Sequence, residues 1–298
     1  VVTATISDSY KGEPLQVVEF FQYAHGHAWF QPGQSAVLFL EKLAGDHQLS
    51  RIGKAGGIHY VSHQVRNTEH RLNPSDVADY QWVLAAYAAS IPGNASSTVE
   101  PSRKLQEIML RMLRSDSSRI AESALLDWST AGNGISFNEE EVMQLSGLAR
   151  DPGRPMSFRL ALLRELSNRN LAGPEDWAYL LGNESEENLL LLLRSMDGYE
   201  NRELLKPLVA LLGHPSDFVA EGAARALGHP VYAGVEPSLK PLLASENLRL
   251  NYAAVDGLVG IASPEARLML SEAANNHPNA RVRRKIAVGL KPAGAATN

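Results

Sequence analysis

Six of the nine histidines lie within the first 70 residues, and two of them have the spacing of shared metal ligands. On a β-strand, His25 and His27 would point to the same face with side chains roughly 6 to 7 Å apart. Imidazole nitrogens bind Zn²⁺, Cu²⁺ and Ni²⁺, so the pair is a candidate metal site of an extracytoplasmic protein. The alternative is a pair of solvated loop histidines, because Gly26 separates them and no carboxylate lies close by in the sequence.

The end of the chain has a basic run with no acidic residue after Glu272: Arg281, Arg283, Arg284, Lys285 and Lys291. Such a run could contact nucleic acid or an anionic membrane surface. The interpretation we favour is a terminal helix with a solvated basic side, because Val282, Ile286 and Leu290 mark its apolar side. The net charge of −5 and the pI near 6.0 disfavour a nucleic-acid partner, which requires a broad basic face.

The sequence lacks the usual signatures of catalysis. It has no cysteine, which excludes disulfides, thiolate nucleophiles and zinc–thiolate sites. It also lacks the nucleophile elbow G-x-S-x-G, the phosphate loop, the dinucleotide fingerprint and the H-E-x-x-H metalloprotease motif. We therefore expect a protein that is not an enzyme and needs no cofactor.

An apolar pattern recurs about every thirty residues and organises most of the chain. We call position 0 of the six repeats Ile120, Phe158, Asn188, Val219, Leu250 and Val282. Positions +4, +5 and +8 are then apolar in every repeat, and on a helix they lie on one arc together with position 0. A helix of this kind cannot bury its arc alone, so the pattern predicts stacked helix pairs.

The residues between these helices predict the other half of each pair. Leucine-rich segments precede each marked helix, and the turns between them carry Gly, Pro, Asn or Ser, as in Gly213-His214-Pro215-Ser216. The sequence thus predicts a mostly α-helical protein with about six pairs in a right-handed α-solenoid over residues 101–290.

The best-matched repeat resembles a HEAT repeat. It runs Leu208-Val209-Ala210-Leu211-Leu212-Gly213-His214-Pro215, followed by Val219 and Ala223-Ala224-Arg225-Ala226-Leu227-Gly228. The short period is similar to that of bacterial HEAT-like adaptor proteins and phycobilisome-lyase-like proteins. The resemblance implies docking of a protein partner more than catalysis. It leaves open a chromophore lyase or chaperone, and a nucleic-acid-binding HEAT protein such as a DNA glycosylase.

The first 70 residues predict a separate antiparallel β domain. Short apolar or alternating segments over 2–6, 15–21, 36–40, 47–52 and 58–65 are typical of strands, and we expect 36–40 to be a buried central strand. The pattern resembles a small oligonucleotide-binding-type or netrin-like barrel, although a β-sandwich is also compatible. Residues 71–100 would form a connecting helix and linker, and residues 291–298 a flexible tail.

These observations favour a non-catalytic scaffold or adaptor that binds another protein along its solenoid, with the β domain as a second contact. The residues expected to contact the partner are Arg159, Arg225, Asn251 and Arg283, at positions +1 or +6, and Trp29 in the β domain. The start at Val1, which fits a removed leader or a trimmed terminus, the absence of cysteine and the β pattern favour a bacterial extracytoplasmic location, periplasmic or secreted. The oligomeric state stays open.

Overall fold

The structure is a computed structural model that describes residues 2–9, 15–23, 30–43, 58, 60–63, 69–90, 101–130, 135–196 and 198–290. The chain divides into two compact units, Val1–Glu141 and Val142–Asn298. The fold is mostly α-helical with small sheets near the N-terminus, as predicted. None of the helices in the described ranges is both long and apolar enough to cross a membrane.

The described part of the first unit contains six short strands: β1 Val2–Thr5, β2 Val17–Tyr23, β3 Ala36–Leu38, β4 Glu41–Lys42, β5 Tyr60–His63 and β6 Glu69–Arg71. One sheet has the order β1-β2-β5-β4, and β3 pairs with β6 in a second sheet. Three of the four pairs are antiparallel, as expected, but β2 and β5 are parallel. The long connection between these two strands allows the chain to return to the same end of the sheet. Closure into a barrel stays a prediction.

The segment 36–40 is not the buried central strand that its apolar run predicted. The strand ends at Leu38, all three of its residues are half-buried, and Phe39 is half exposed. In β2 of the four-stranded sheet, the buried side chains are Val18 and Phe20, which alternate with the exposed Val17 and Glu19. An apolar run alone does not show which strand is central. The expected strand over 47–52 lies outside the described residues.

A connecting helix follows the sheets, as the sequence predicted. A 3₁₀ turn over Pro74–Asp76 leads into helix α1, Val77–Ser90, which packs against α2, Pro101–Arg114. The Arg111 guanidinium lies 3.8 Å from the centre of the Trp82 ring, and the Ser115 hydroxyl donates a hydrogen bond to the Asp79 carboxylate. Helix α1 therefore covers the first helix of the first pair.

Six helix pairs account for residues 101–289, which confirms the predicted α-solenoid repeats. The first helices are α2, α4 Glu139–Arg150, α6 Pro174–Asn183, α8 Leu205–Leu211, α10 Glu236–Leu243 and α12 Pro264–Asn276. The second helices are α3 Ser118–Thr130, α5 Met156–Asn168, α7 Glu186–Ser195, α9 Asp217–Ala226, α11 Leu248–Ile261 and α13 Ala280–Gly289. The specific assignment to HEAT repeats stays a prediction, as do the domain boundaries at residues 70, 100 and 290.

The repeating apolar arc forms the core of both units. Position +4 is fully buried in all six second helices: Ala124, Leu162, Leu192, Ala223, Ala254 and Ile286. Position +8 is also buried in the first five pairs, whereas Leu290 of the sixth is 38% exposed. Leu290 directly follows α13 and is the last residue that the structure describes.

Helices α9 and α11 approach each other closely because glycines lie at their contact. A Cβ added at Gly260 would lie 2.0 Å from the Gly228 carbonyl oxygen. A Cβ at Gly257 would lie 2.5 Å from the Ala224 carbonyl oxygen. Both distances are far below van der Waals contact, so only glycine permits this spacing of the fourth and fifth pairs.

Candidate protein-binding surface

Four consecutive second helices of the second unit lie side by side. Helix α7 contacts α9, α9 contacts α11, and α11 contacts α13. Their buried arc is centred near +70° on a helical wheel with position 0 at the origin, at 100° per residue. Positions −1, +2, +3 and +6 are centred about 180° away from this arc, so their side chains form the outer face of the four helices.

We call the exposed and half-buried residues at these positions the outer strip. Its members are Glu187, Leu190, Leu191 and Arg194 of α7; Phe218, Glu221, Gly222 and Arg225 of α9; Arg249, Tyr252 and Asp256 of α11; and Arg281, Arg284, Lys285 and Val288 of α13. Six are cationic and three anionic, which gives the strip a net charge of +3 on a chain whose total is −5.

Three cations of the outer strip share two carboxylates across three helices. Arg225 lies 3.3 Å from the carboxylate of Glu221 and 2.7 Å from that of Asp256. Arg249 pairs with the other oxygen of Glu221 at 3.3 Å, and Lys285 pairs with the other oxygen of Asp256 at 2.5 Å. Each carboxylate therefore pairs with two cations, and these ion pairs link α9 to α11 and α11 to α13.

Apolar side chains lie among these charges. Leu191, Phe218 and Val288 are 47%, 53% and 61% exposed, and Tyr252 is half-buried. The Arg249 guanidinium carbon is 4.5 Å from the centre of the Phe218 ring, and the Lys285 ammonium is 6.0 Å from that of Tyr252. Both are cation–π distances. Each of the four helices thus presents an apolar or aromatic side chain on its outer face.

Arg159 does not lie on this face. It is 1% exposed, and its guanidinium donates hydrogen bonds to the carbonyl oxygens of Ala149 and Arg150 and pairs with the Glu184 carboxylate at 2.5 Å. The second oxygen of Glu184 accepts from the Asn188 side chain. Arg159 therefore ties α5 to the end of α4, and the expectation that it contacts a partner is corrected: its hydrogen-bonding groups are used inside the protein.

Asn251, at the same position +1, has the same kind of role. It is 1% exposed, and its side-chain amide donates to the carbonyl oxygens of Leu242, Leu243 and Ser245 at the end of α10. Arg283, the third +1 residue, is half-buried and donates to the carbonyl oxygens of His277 and Pro278 in the preceding turn. These residues fasten a second helix to the turn before it.

Glutamates near the starts of two helices have different roles. Glu184 precedes α7 and lies in the buried pair with Arg159. Glu141 instead caps α4, because Glu141 and Asn138 exchange hydrogen bonds between side chain and backbone N–H at the start of that helix.

Arg225 is the one predicted contact residue that lies on the outer strip. The sequence predicted Lys285 only as part of the basic side of the last helix, and Phe218, Arg249 and Asp256 were not among the expected contact residues. Their common signal was available, since they occupy the positions opposite the apolar arc. The predicted sites at His25, His27 and Trp29 lie outside the described residues and stay predictions. Among the residues that the structure does describe, no group of three or more His, Asp or Glu side chains is placed to hold a metal ion.

Comparison with known proteins gives similarity to solved structures but to no protein family. No family model matches the chain, and no curated protein matches it significantly. A designed armadillo repeat protein, solved in complex with the peptide (KR)4, aligns with 62% of this chain and 98% of its own at 20% identity and a TM-score of 0.41.

Proposed function

We propose that this protein is a non-catalytic scaffold that binds another protein along the outer strip. The observation that carries the proposal is the apolar or aromatic side chain on each of four consecutive second helices, at Leu191, Phe218, Tyr252 and Val288. These side chains lie on helices that contact one another, and aromatic residues and arginine are enriched at protein interfaces.

The first helices of the second unit provide a contrast. Their large exposed apolar residues in the described part of the chain are Met143, Tyr179 and Leu268, which lie on α4, α6 and α12. By the same measure the second helices contribute Leu191, Phe218 and Val288, whereas Tyr252 of α11 is half-buried, as is Val209 of α8. Single apolar residues on a surface are ordinary. The second helices differ because shared ion pairs lie beside these side chains and link three of the helices, α9, α11 and α13, which favours them as the binding face.

The absence of recognised catalytic motifs from the sequence supports a role without catalysis. We further propose that the β domain, with Trp29, makes a second contact and that the protein acts outside the cytoplasm. Fractionation of source cells with an antibody against the chain tests the location, and recovery with cytoplasmic markers alone would contradict it.

The function is tested by affinity capture from source cells with three matched proteins. One is the wild type, the second carries Leu191→Asp and Phe218→Asp on the second helices, and the third carries Met143→Asp and Leu268→Asp on the first helices. All four positions are exposed, so both variants should fold, which circular dichroism verifies.

We expect a partner that is retained by the wild type and by the first-helix variant but lost by the second-helix variant. Equal retention by both variants, or equal loss, would contradict a binding role for the outer strip.

A further inference from the structure

The outer strip has more cationic residues than anionic residues to pair with them. Within the described residues, Arg225, Arg249 and Lys285 share two carboxylates, those of Glu221 and Asp256, which leaves one positive charge in excess. Arg281 and Arg284 lie beside them on α13, are exposed, and form no ion pair with the described residues. A partner that covers this end of the strip must supply negative charge, because burying uncompensated cations is costly.

The ion pairs also hold the cations in place. The side chains of Arg225, Arg249 and Lys285 keep 49%, 52% and 38% of their surface exposed although each is paired. A partially immobilised cation loses less conformational entropy when a ligand carboxylate binds it. The cluster across α9, α11 and α13 is therefore preorganised for carboxylates and still accessible to them.

Aromatic rings next to the cations give the ligand a second requirement. Phe218 lies beside Arg249, and Tyr252 beside Lys285. A ligand that places a carboxylate on the cation brings its neighbouring atoms over the ring. Apolar side chains next to the carboxylates would bury the exposed ring surface. The matching ligand thus combines acidic and apolar groups.

The arrangement favours a peptide over a nucleic acid. Glu221 and Asp256 lie in the middle of the cluster. A phosphate backbone that crosses the cluster carries a negative charge on every nucleotide, so it would be repelled by both carboxylates. A peptide can place neutral residues there. Packed helices are about 8 to 10 Å apart, and three residues of an extended chain span about 10 Å, so an extended peptide that crosses the helices meets a new helix at every third residue.

We propose that the outer strip binds an extended segment of its partner in which acidic and apolar residues alternate at short intervals, lying across α9, α11 and α13. The proposal rests on the proposed function and names the chemistry of the partner. The apolar residues of the segment would contact Phe218, Tyr252 and Val288, and its carboxylates would contact Arg225, Arg249, Arg281 and Arg284.

The test is selection of binders by the full chain from a display library of random peptides of about 12 residues. We expect the selected peptides to be enriched in Asp and Glu and to contain apolar residues. A labelled selected peptide is then titrated with the Arg281→Glu/Arg284→Glu variant, and we expect binding about tenfold weaker. The control is Arg267→Glu, which changes an exposed charge on α12 and should leave the affinity unchanged.

Acidic residues in place of Arg281 and Arg284 lie in the first half of α13, where negative charge favours a helix. The variant should therefore fold, which its melting curve verifies. A single-stranded oligonucleotide and phosphatidylserine vesicles are titrated at the same salt concentration. Tighter binding of either than of the best peptide would overturn the inference, and so would selected peptides that are basic or without charge bias.

The outcomes separate this inference from the proposed function. If the selected peptides are neutral or basic and bind Phe218→Asp more weakly than the wild type, the inference of an acidic ligand is wrong, but the protein-binding function of the outer strip remains supported. Peptides whose affinity is the same for wild type, Phe218→Asp and Arg281→Glu/Arg284→Glu would overturn both.

Discussion

Arg159 and Arg225 carry the same charge in opposite environments. Arg159 is buried against Glu184 and two backbone carbonyl oxygens, whereas half of the Arg225 side chain is exposed beside Glu221 and Asp256. Loss of one partner from a buried pair leaves an uncompensated charge inside the protein, whereas exposed pairs contribute little because water screens them. The two residues should therefore differ sharply in their effect on stability.

We predict that Arg159→Met lowers the free energy of unfolding by about 3 to 5 kcal/mol, and that Arg225→Met lowers it by less than about 1 kcal/mol. Urea denaturation followed by circular dichroism measures both. A second replacement, Glu184→Gln, should recover part of the loss in Arg159→Met because it removes the unpaired carboxylate. Equal losses for the two arginine variants would show that the Arg159 pair is not buried in solution.

Tyr232 gives a prediction about pH. Burial raises the pKa of its hydroxyl, which also accepts a hydrogen bond from the Asn201 backbone N–H. The unfolded tyrosine ionises near pH 10, so the unfolded state releases its proton first. The contribution of the neutral tyrosine to stability is complete below about pH 10 and is lost as the pH rises through the higher pKa of the folded state.

We expect Tyr232→Phe to be about 1 kcal/mol less stable than the wild type at pH 8, because the Asn201 N–H loses its acceptor. Above pH 10 the difference should shrink, since phenylalanine has no proton to lose. Thermal unfolding at a series of pH values measures this. Tyr179→Phe, at an exposed position, is the control. A difference in stability between Tyr232→Phe and the wild type that stays constant or grows above pH 10 would contradict a raised pKa for Tyr232.

Individual residues show what the sequence could predict. Position +4 is buried in all six repeats as expected, because apolar residues repeated at helical spacing are stable only in the core. A polar residue can be stable at the surface or, if it finds hydrogen-bond partners, inside the protein. The sequence predicts Arg159 and Asn251 at the surface, but their side-chain N–H groups reach the carbonyl oxygens at the end of a helix. Sequence periodicity does not show whether a polar side chain turns inward to such acceptors.

At the scale of elements, the contact of α9 with α11 depends on glycine. A methyl group at Gly260 would meet the Gly228 carbonyl oxygen at 2.0 Å, and backbone atoms cannot move aside as a flexible side chain does. We predict that Gly260→Ala forces the fourth and fifth pairs apart and lowers the melting temperature by several degrees.

The matched control is Gly147→Ala in α4, where an added Cβ meets no atom within 4 Å. That change should raise stability slightly, because alanine favours a helix interior over glycine by about 1 kcal/mol. Differential scanning calorimetry compares the two. Equal melting temperatures for both variants would contradict the close approach of the two helices.

The elements also differ in how well the sequence predicted them. All six helix pairs were expected, because the same apolar pattern occurs six times. A weak match in one repeat, such as the polar Asn188 at position 0, is therefore outweighed by the other five. The strands have no such repetition. The parallel pairing of β2 with β5 depends on residues far apart in the chain, and the apolar run at 36–40 predicted a central strand that the structure does not form.

For the whole molecule, charge is distributed unevenly. The chain carries −5, whereas the outer strip carries +3. Attraction between the strip and an acidic partner acts over about one Debye length, which salt shortens. We predict that affinity for the captured partner falls steadily as the NaCl concentration rises from about 50 to 500 mM, mainly through slower association. Stopped-flow binding measures the rate. An association rate that does not change with salt would exclude a role for this charge.

The central claim is that the outer face of the second helices is the surface that binds a protein, and site-specific photo-crosslinking in source cells tests it most directly. A photoreactive phenylalanine analogue replaces Phe218 on α9 in one protein and Leu268 on α12 in another. Both positions are more than half exposed, and they lie on a second and a first helix respectively. We predict a discrete crosslinked partner from position 218 and none from position 268. A crosslink from position 268 alone, or the same partner from both positions, would contradict the account.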